Sequence, residues 1–244
     1  MKIGDQCGFV DNEGNLIVPV EYDFMYRRVA NYITVKKNNK EGLYNYAGDL
    51  VFACEYDKIK TSPKNGILLI KDGKMGLHSN KNGKEILPIK YDLIEGFRIS
   101  GLNEKHYLVT NDGKVGVLTS RETIVPIEFD KIHEDNGLVV VQSGDSVGLY
   151  LLEGGELLPT IYNRIYFTVN KRSNIAIAKK DGKLGIVDNE GKQYLMGEIN
   201  AIQYIPNSDG KELLAVGFKG MDYSNDNGTT WSHVTDEGFY SIRF

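Results

Sequence analysis

Six polar residues recur at matching places along the chain: Asp23, Asp57, Asp92, Asp130, Asn163 and Asn200. The first five each follow an aromatic residue directly, at Tyr22, Tyr56, Tyr91, Phe129 and Tyr162. A ring of such groups would hold a cation at an axis of symmetry. The plainer chemistry is a repeated local cap, in which each side chain satisfies nearby amides where the chain turns inward. The cap is the expectation, because a channel framed by so many units is too wide for one ion to touch many of them. A second candidate is Ser224-Asn225-Asp226-Asn227-Gly228-Thr229-Thr230-Trp231, which occurs once, near the end. It reads as a catalytic or metal loop, or as one more hairpin turn in which Asp226 accepts amides and Gly228 takes the left-handed conformation.

Other chemistry is thin. The four histidines, His78, His106, His133 and His233, show no metal-ligand spacing. Cys7 and Cys54 match neither a metal motif nor a disulfide framework and are expected to be reduced, buried thiols. Neither a phosphate-cradling glycine loop nor a G-x-S-x-G element is present. The expectation is therefore a non-enzyme without catalytic residue, metal or cofactor.

The 244 residues carry a formal charge of -4, with Lys and Arg spread along the chain. That gives no electrostatic reason to expect nucleic acid or an anionic membrane. No apolar run approaches the roughly 20 residues a spanning helix needs, and the start lacks the apolar core of a signal peptide. The expected location is cytoplasmic, unless a leader has been removed.

The elements that must position these residues repeat. Around the aromatic marker stand "VPVEYDFM", "FACEYDKI", "LPIKYDLI", "VPIEFDKI" and "LPTIYNRI", with weaker copies at Ile199 and Phe239 and spacings of 34, 35, 38, 33, 37 and 40 residues. A second marker, Gly8, Gly42, Gly76, Gly116, Gly148, Gly185 and Gly220, keeps the same beat. Two markers sharing one period predict seven structural units. Within a unit, short Ile/Leu/Val-rich runs alternate with turns such as "KDGK" and "DNEG", so each unit reads as four strands, A to D, beginning with Tyr-Asp-x-Ile. The chain opens with strands B, C and D and ends with "GFYSIRF", an A strand. The two ends would complete one sheet, which leaves no lone edge. The expected fold is all-β: a single domain, 1–244, forming a seven-bladed β-propeller whose first blade is shared between 1–21 and 238–244. The alternative is an open β-repeat superhelix.

On these residues the units resemble the WG-repeat family over about residues 7–195, although Cys7, Glu41, Met75, Val115, Val147 and Leu184 occupy the Trp position. Residues 224–231 match the Asp-box of sialidase-like propellers at all five defining positions. The Asp-box resemblance implies a fold element remote from any active site.

The connections from A to B vary in length while the others stay short. In a propeller these connections share one face, and variation confined to a face points to binding. That face is expected to carry Tyr26, Arg27, Arg28, Phe97, Arg98, His133, Glu134, Tyr166, Phe167, Arg172 and Tyr204, residue types suited to anchoring a protein. The expected function is a non-catalytic protein-binding propeller, as a bacterial immunity or adaptor protein. The competing expectation is a glycan-binding or sialidase-like propeller.

Overall fold

Alternating apolar runs and Gly-containing turns fold into antiparallel strands, and the computed structural model contains no helix among the residues described, which are 1–28, 32–62, 66–98, 104–135, 137–167, 175–188, 193–197, 199–205, 212–217, 219–226, 230–238 and 241–243. Seven small sheets follow in chain order, and none closes into a barrel. The first is β1 (Lys2–Ile3), β2 (Gln6–Val10) and β3 (Leu16–Tyr22). The second is β4 (Phe24–Arg28), β5 (Tyr32–Lys37), β6 (Lys40–Asn45) and β7 (Leu50–Tyr56). The third is β8 (Lys58–Ser62), β9 (Gly66–Lys71), β10 (Lys74–His78) and β11 (Glu85–Tyr91). The fourth is β12 (Leu93–Phe97), β13 (His106–Asn111), β14 (Lys114–Leu118) and β15 (Thr123–Phe129). The fifth is β16 (Lys131–Asp135), β17 (Leu138–Ser143), β18 (Ser146–Tyr150) and β19 (Glu156–Tyr162). The sixth is β20 (Arg164–Phe167), β21 (Ile175–Lys180), β22 (Lys183–Asp188) and β23 (Gln193–Gly197). The seventh is β24 (Ile199–Tyr204), β25 (Leu213–Gly217), β26 (Gly220–Ser224) and β27 (Ser232–Thr235).

Each sheet keeps the order of the chain, so every unit is a meander. The first sheet has three described strands and lacks the one corresponding to β4. Residues 241–243 carry no strand, and 239, 240 and 244 lie outside the described residues. The chain divides into two compact units, Met1–Phe97 with Glu104–Gly113 and Val117–Glu122, and Arg98–Asn103 with Lys114–Gly116 and Thr123–Phe244.

The two sequence markers meet in space. Cys7 pairs with Tyr22, Glu41 with Tyr56, Met75 with Tyr91 and Val147 with Tyr162, so at these four marker glycines the preceding residue lies opposite the marker aromatic. Just beyond that pair the last strand of the sheet bulges. Pro19, Pro88 and Pro159 sit in three of these bulges, where a missing amide costs no ladder bond. The glycine makes room for the bulge. A Cβ on Gly148 would stand 2.8 Å from the Leu158 carbonyl oxygen and 3.0 Å from the Thr160 nitrogen. The aromatics therefore end the last strand of a sheet rather than open the next one, and a single residue, the marker Asp, links the first of these sheets to its successor.

Within the first unit, the sheets pack face to face. Val18 and Tyr22 of the first sheet join Ile33, Val35 and Tyr44 of the second. Tyr32, Leu43 and Tyr56 on the other face of the second sheet join Ile59, Ile67 and Leu69 of the third. In the other unit, Leu149, Leu158 and Tyr162 pack on Ala176 and Ala178. Burial of this apolar area at about 25 cal/mol per Å² is the main force holding one thin sheet to the next. The Tyr22 and Tyr44 hydroxyls share a hydrogen bond of 2.8 Å inside the first of these cores.

Candidate functional site

The marker carboxylates are held locally. One Asp57 oxygen accepts the backbone amide of Asp72 at 2.7 Å, inside the turn that joins β9 to β10. Asp23 accepts from Asn38, Asp92 from Asp112, Asp130 from Gly144 and Asn163 from Asp181 in the same way. Each amide accepted belongs to a residue with positive φ, between 49° and 56°, so the side chain pins the turn where the backbone is least at ease. In Asp57, Asp92 and Asp130 the second oxygen looks outward to another sheet. Lys40 reaches Asp57 at 2.5 Å, Lys74 reaches Asp92 at 2.5 Å and Lys114 reaches Asp130 at 2.7 Å. Hydrogen bonds from these lysines, then from turn amides, hold the three carboxyls below their ordinary range. The repeated residues are thus caps and ties, and among the described residues no three His, Cys, Asp or Glu form a metal cluster.

Asp226 does the same work in its own turn. It accepts the Thr230 amide at 2.8 Å, the Thr230 hydroxyl at 2.6 Å and the Ser224 hydroxyl at 2.9 Å. Asp11 holds the equivalent turn of the first sheet through the amides of Glu13 and Asn15. Gly228 lies outside the described residues, and β27 begins one residue after Trp231.

Glu41 is different. It stands where other units carry Cys7, Met75, Val115, Val147 and Leu184, and it is 3% exposed. One oxygen accepts the Tyr26 hydroxyl at 2.5 Å and the Lys58 ammonium at 2.8 Å; the other accepts the Ile59 amide at 2.7 Å. Burial alone would push its carboxyl up, but Lys58, the Tyr26 hydroxyl and the Ile59 amide together hold it below the ordinary value. Above it opens a cleft of about 450 Å³. Phe24, 58% exposed, and Lys36 line the cleft beside Tyr26 and Lys58. The arrangement fixes β4 to β8 and presents an aromatic ring next to cationic side chains. The sequence singled out Tyr26 but not its partner: nothing in the order of residues shows that Tyr26, Lys58 and Ile59 converge on Glu41.

Strand alternation sorts the remaining expected site residues. Tyr26, His133 and Tyr166 are each the third residue of the first strand of their sheet, and His133 and Tyr166 are exposed. Glu134 is half-buried and accepts the Gly137 amide at 3.0 Å, which braces its own loop. Phe97 ends β12 and pairs with His106, and Arg98 follows it, exposed. Arg172 lies outside the described residues, as do the side chains of Arg27, Arg28, Phe167 and Tyr204. Both cysteines are free, and burial pushes the Cys54 thiol up.

A family model for the WG containing repeat matches residues 8–40, 42–74 and 79–114. WG-type repeats are therefore found across residues 8–114. No curated protein matches the sequence. Among solved structures, Kluyveromyces lactis Hsv2 is similar over 80% of this chain and 70% of that one, with 13% identity and a TM-score of 0.28. A eukaryotic initiation factor is similar over 94% and 71%, with 12% identity and a TM-score of 0.33. The extracellular domain of the putative one component system BT4673 from B. thetaiotaomicron gives 90% and 37%, 10% identity and a TM-score of 0.28. No functional inference follows from likenesses of this size.

Proposed function

We propose that this repeat protein is a non-catalytic scaffold that binds a protein partner, serving in the bacterial cytoplasm as an adaptor or immunity protein. One observation carries the reading. The second residue after the marker Asp or Asn is aliphatic in every four-stranded sheet: Met25, Ile59, Ile94, Ile132, Ile165 and Ile202, all buried or half-buried. The third residue, on the opposite side, changes chemistry from sheet to sheet: Tyr26, Lys60, Glu95, His133, Tyr166 and Gln203. A pattern of constant anchors beneath variable tips is what a recognition surface requires, and exposed Phe24 and Tyr166 supply ring area of the kind that anchors interfaces. The repeated carboxylates, meanwhile, are engaged in caps and ties.

The architecture proposed with this function is a seven-bladed propeller of one domain, with 238–244 supplying the strand missing from the first sheet and the Asp-box turn closing the last. Its support is the three-stranded first sheet and the A-strand pattern of "GFYSIRF". Deleting Phe239–Phe244 is then expected to lower stability by as much as a large core truncation, about 2–5 kcal/mol. Equal melting of the shortened and full chains rejects closure.

The function is tested by tagging the full chain in its native cell, identifying co-purified proteins by mass spectrometry and probing a glycan array in parallel. A stoichiometric protein partner with a silent array is the expected result. A saturable sugar signal without a partner overturns the proposal.

A further inference from the structure

Gly96 is the fourth residue of β12, exposed between exposed Glu95 and half-buried Phe97. A strand glycine loses more entropy on folding than any other residue and packs nothing, so it usually marks a bulge or a close backbone approach. Neither applies here: Gly96 does not have a positive φ, it pairs in register with Tyr107, and a Cβ built on it meets nothing within 4 Å. Arg27, Thr61, Glu134 and Phe167 occupy the same position in other sheets. The space left by Gly96 belongs to a cavity of about 230 Å³ between β8 and β12. Its walls include the buried side chains of Leu77, Ile94 and Tyr107. At the mouth stand Lys60 on one strand and Glu95 on the other, both exposed and neither in an ion pair among the described residues.

Size and chemistry limit the occupant. A cavity of roughly 150 Å³ with apolar walls holds one benzene ring, whereas small-molecule sites run from roughly 300 Å³ upward. This slot falls between, with room for a single ring and its attachment. An exposed charge of each sign on opposite lips suits a polypeptide that carries its own flanking charges, more than an uncharged solute. We infer that the slot between β8 and β12 receives one aromatic side chain of the protein partner, with Lys60 and Glu95 pairing to oppositely charged residues on either side of it. The inference rests on the protein-binding reading above and names the anchor point.

The probe is N-acetyl-L-phenylalaninamide, titrated into full-length protein with labelled isoleucine and leucine methyl groups, with N-acetyl-L-alaninamide as the control. Saturable shifts of the Leu77 and Ile94 methyl signals are expected with the first compound only. Gly96→Leu starts from a Cβ that meets nothing within 4 Å and replaces a residue disfavoured in strands, so it is expected to melt no lower than the parent while binding the probe at least about tenfold more weakly. Absence of saturable shifts in the parent, or unchanged binding by a folded Gly96→Leu, overturns the slot. The same variant goes through the partner capture described above. Capture that survives the substitution overturns the slot as the anchor but leaves the protein-binding reading standing. Failure to capture any partner removes that reading, and the probe alone then decides the slot.

Discussion

Lys74 and Asp92 join two successive sheets, the ammonium of β10 lying 2.5 Å from a carboxylate oxygen of the residue that leads into β12. The same carboxylate pins the Asp112 turn of its own sheet with its other oxygen. One side chain thus couples the shape of a hairpin to the seating of its neighbour. The pairing is repeated by Lys40 with Asp57 and Lys114 with Asp130. Where the lysine is replaced by Ser146, its partner is Asn163 rather than Asp, so both charges leave together. In that unit the cap persists without the tie.

Replacing Lys74 by Met should therefore lower the melting temperature at neutral pH and do little in acid. Asp92 has a folded pKa below its ordinary 3.8. Its contribution is complete above 3.8 and disappears as pH falls through the lower folded value, once the carboxyl is protonated in both states. Melting curves of parent and variant across this range should converge in acid, and added salt should narrow the gap at neutral pH, because these groups are close to solvent. A gap that is independent of pH would mean that the lysine acts through packing alone.

Gly148→Ala and Gly96→Ala form a matched pair. The first puts a Cβ within 3.0 Å of two backbone atoms of the bulged strand, so the strand must move, at a cost of about 1–3 kcal/mol. The second adds a methyl group in open space and should change stability by less than about 0.5 kcal/mol in either direction. Urea titration of both distinguishes a glycine demanded by the fold from one that the fold does not need.

The repeat, the strand order within each sheet and the capping role of Asp23 and its equivalents were legible in the sequence, because each depends on neighbours a few residues away or on a fixed period. The aromatic marker was visible but misplaced: Tyr22 ends β3 and does not open β4. Its burial and its pairing with Cys7 decide that, and neither shows in the order of residues. Glu41 was visible only as a departure from a pattern. Its meaning comes from Tyr26, Lys58 and Ile59, which two different sheets bring to it. The slot beside Gly96 was invisible for a related reason: a cavity is made by what two packed sheets leave out.

Glu41→Met copies Met75 of the next unit, yet it should destabilise the protein. The Ile59 amide is buried and would lose its acceptor, which costs about 1–3 kcal/mol. The partly exposed Lys58 can recover water and adds little. Glu41→Gln retains an acceptor for that amide and should lose less. Because the folded carboxyl titrates below its ordinary 4.5, the parent's advantage over either variant is present above that value and fades as pH falls through the folded one. Chemical denaturation at neutral and acidic pH measures both the ranking and the fade, and equal stability of Met and Glu at neutral pH would refute the anchoring role.

His233 lies between two carboxylates, Nδ1 at 2.9 Å from Asp222 and Nε2 at 3.0 Å from Asp236. With both ring nitrogens facing acceptors, only the imidazolium can donate to each. The hydrogen bond to Asp222, then that to Asp236, accordingly raises its pKa above 6.5. A raised folded pKa adds stability that is complete below 6.5 and is lost as pH climbs through the folded value. The tie joins β26 to the strand that ends the last sheet, so its loss should loosen β27 first. Hydrogen exchange at the amides of 232–235 should quicken more steeply over that rise in pH in the parent than in His233→Gln, after correction for the intrinsic rate. Identical pH profiles in the two proteins would show that the imidazole remains neutral and that the two aspartates do not hold its proton.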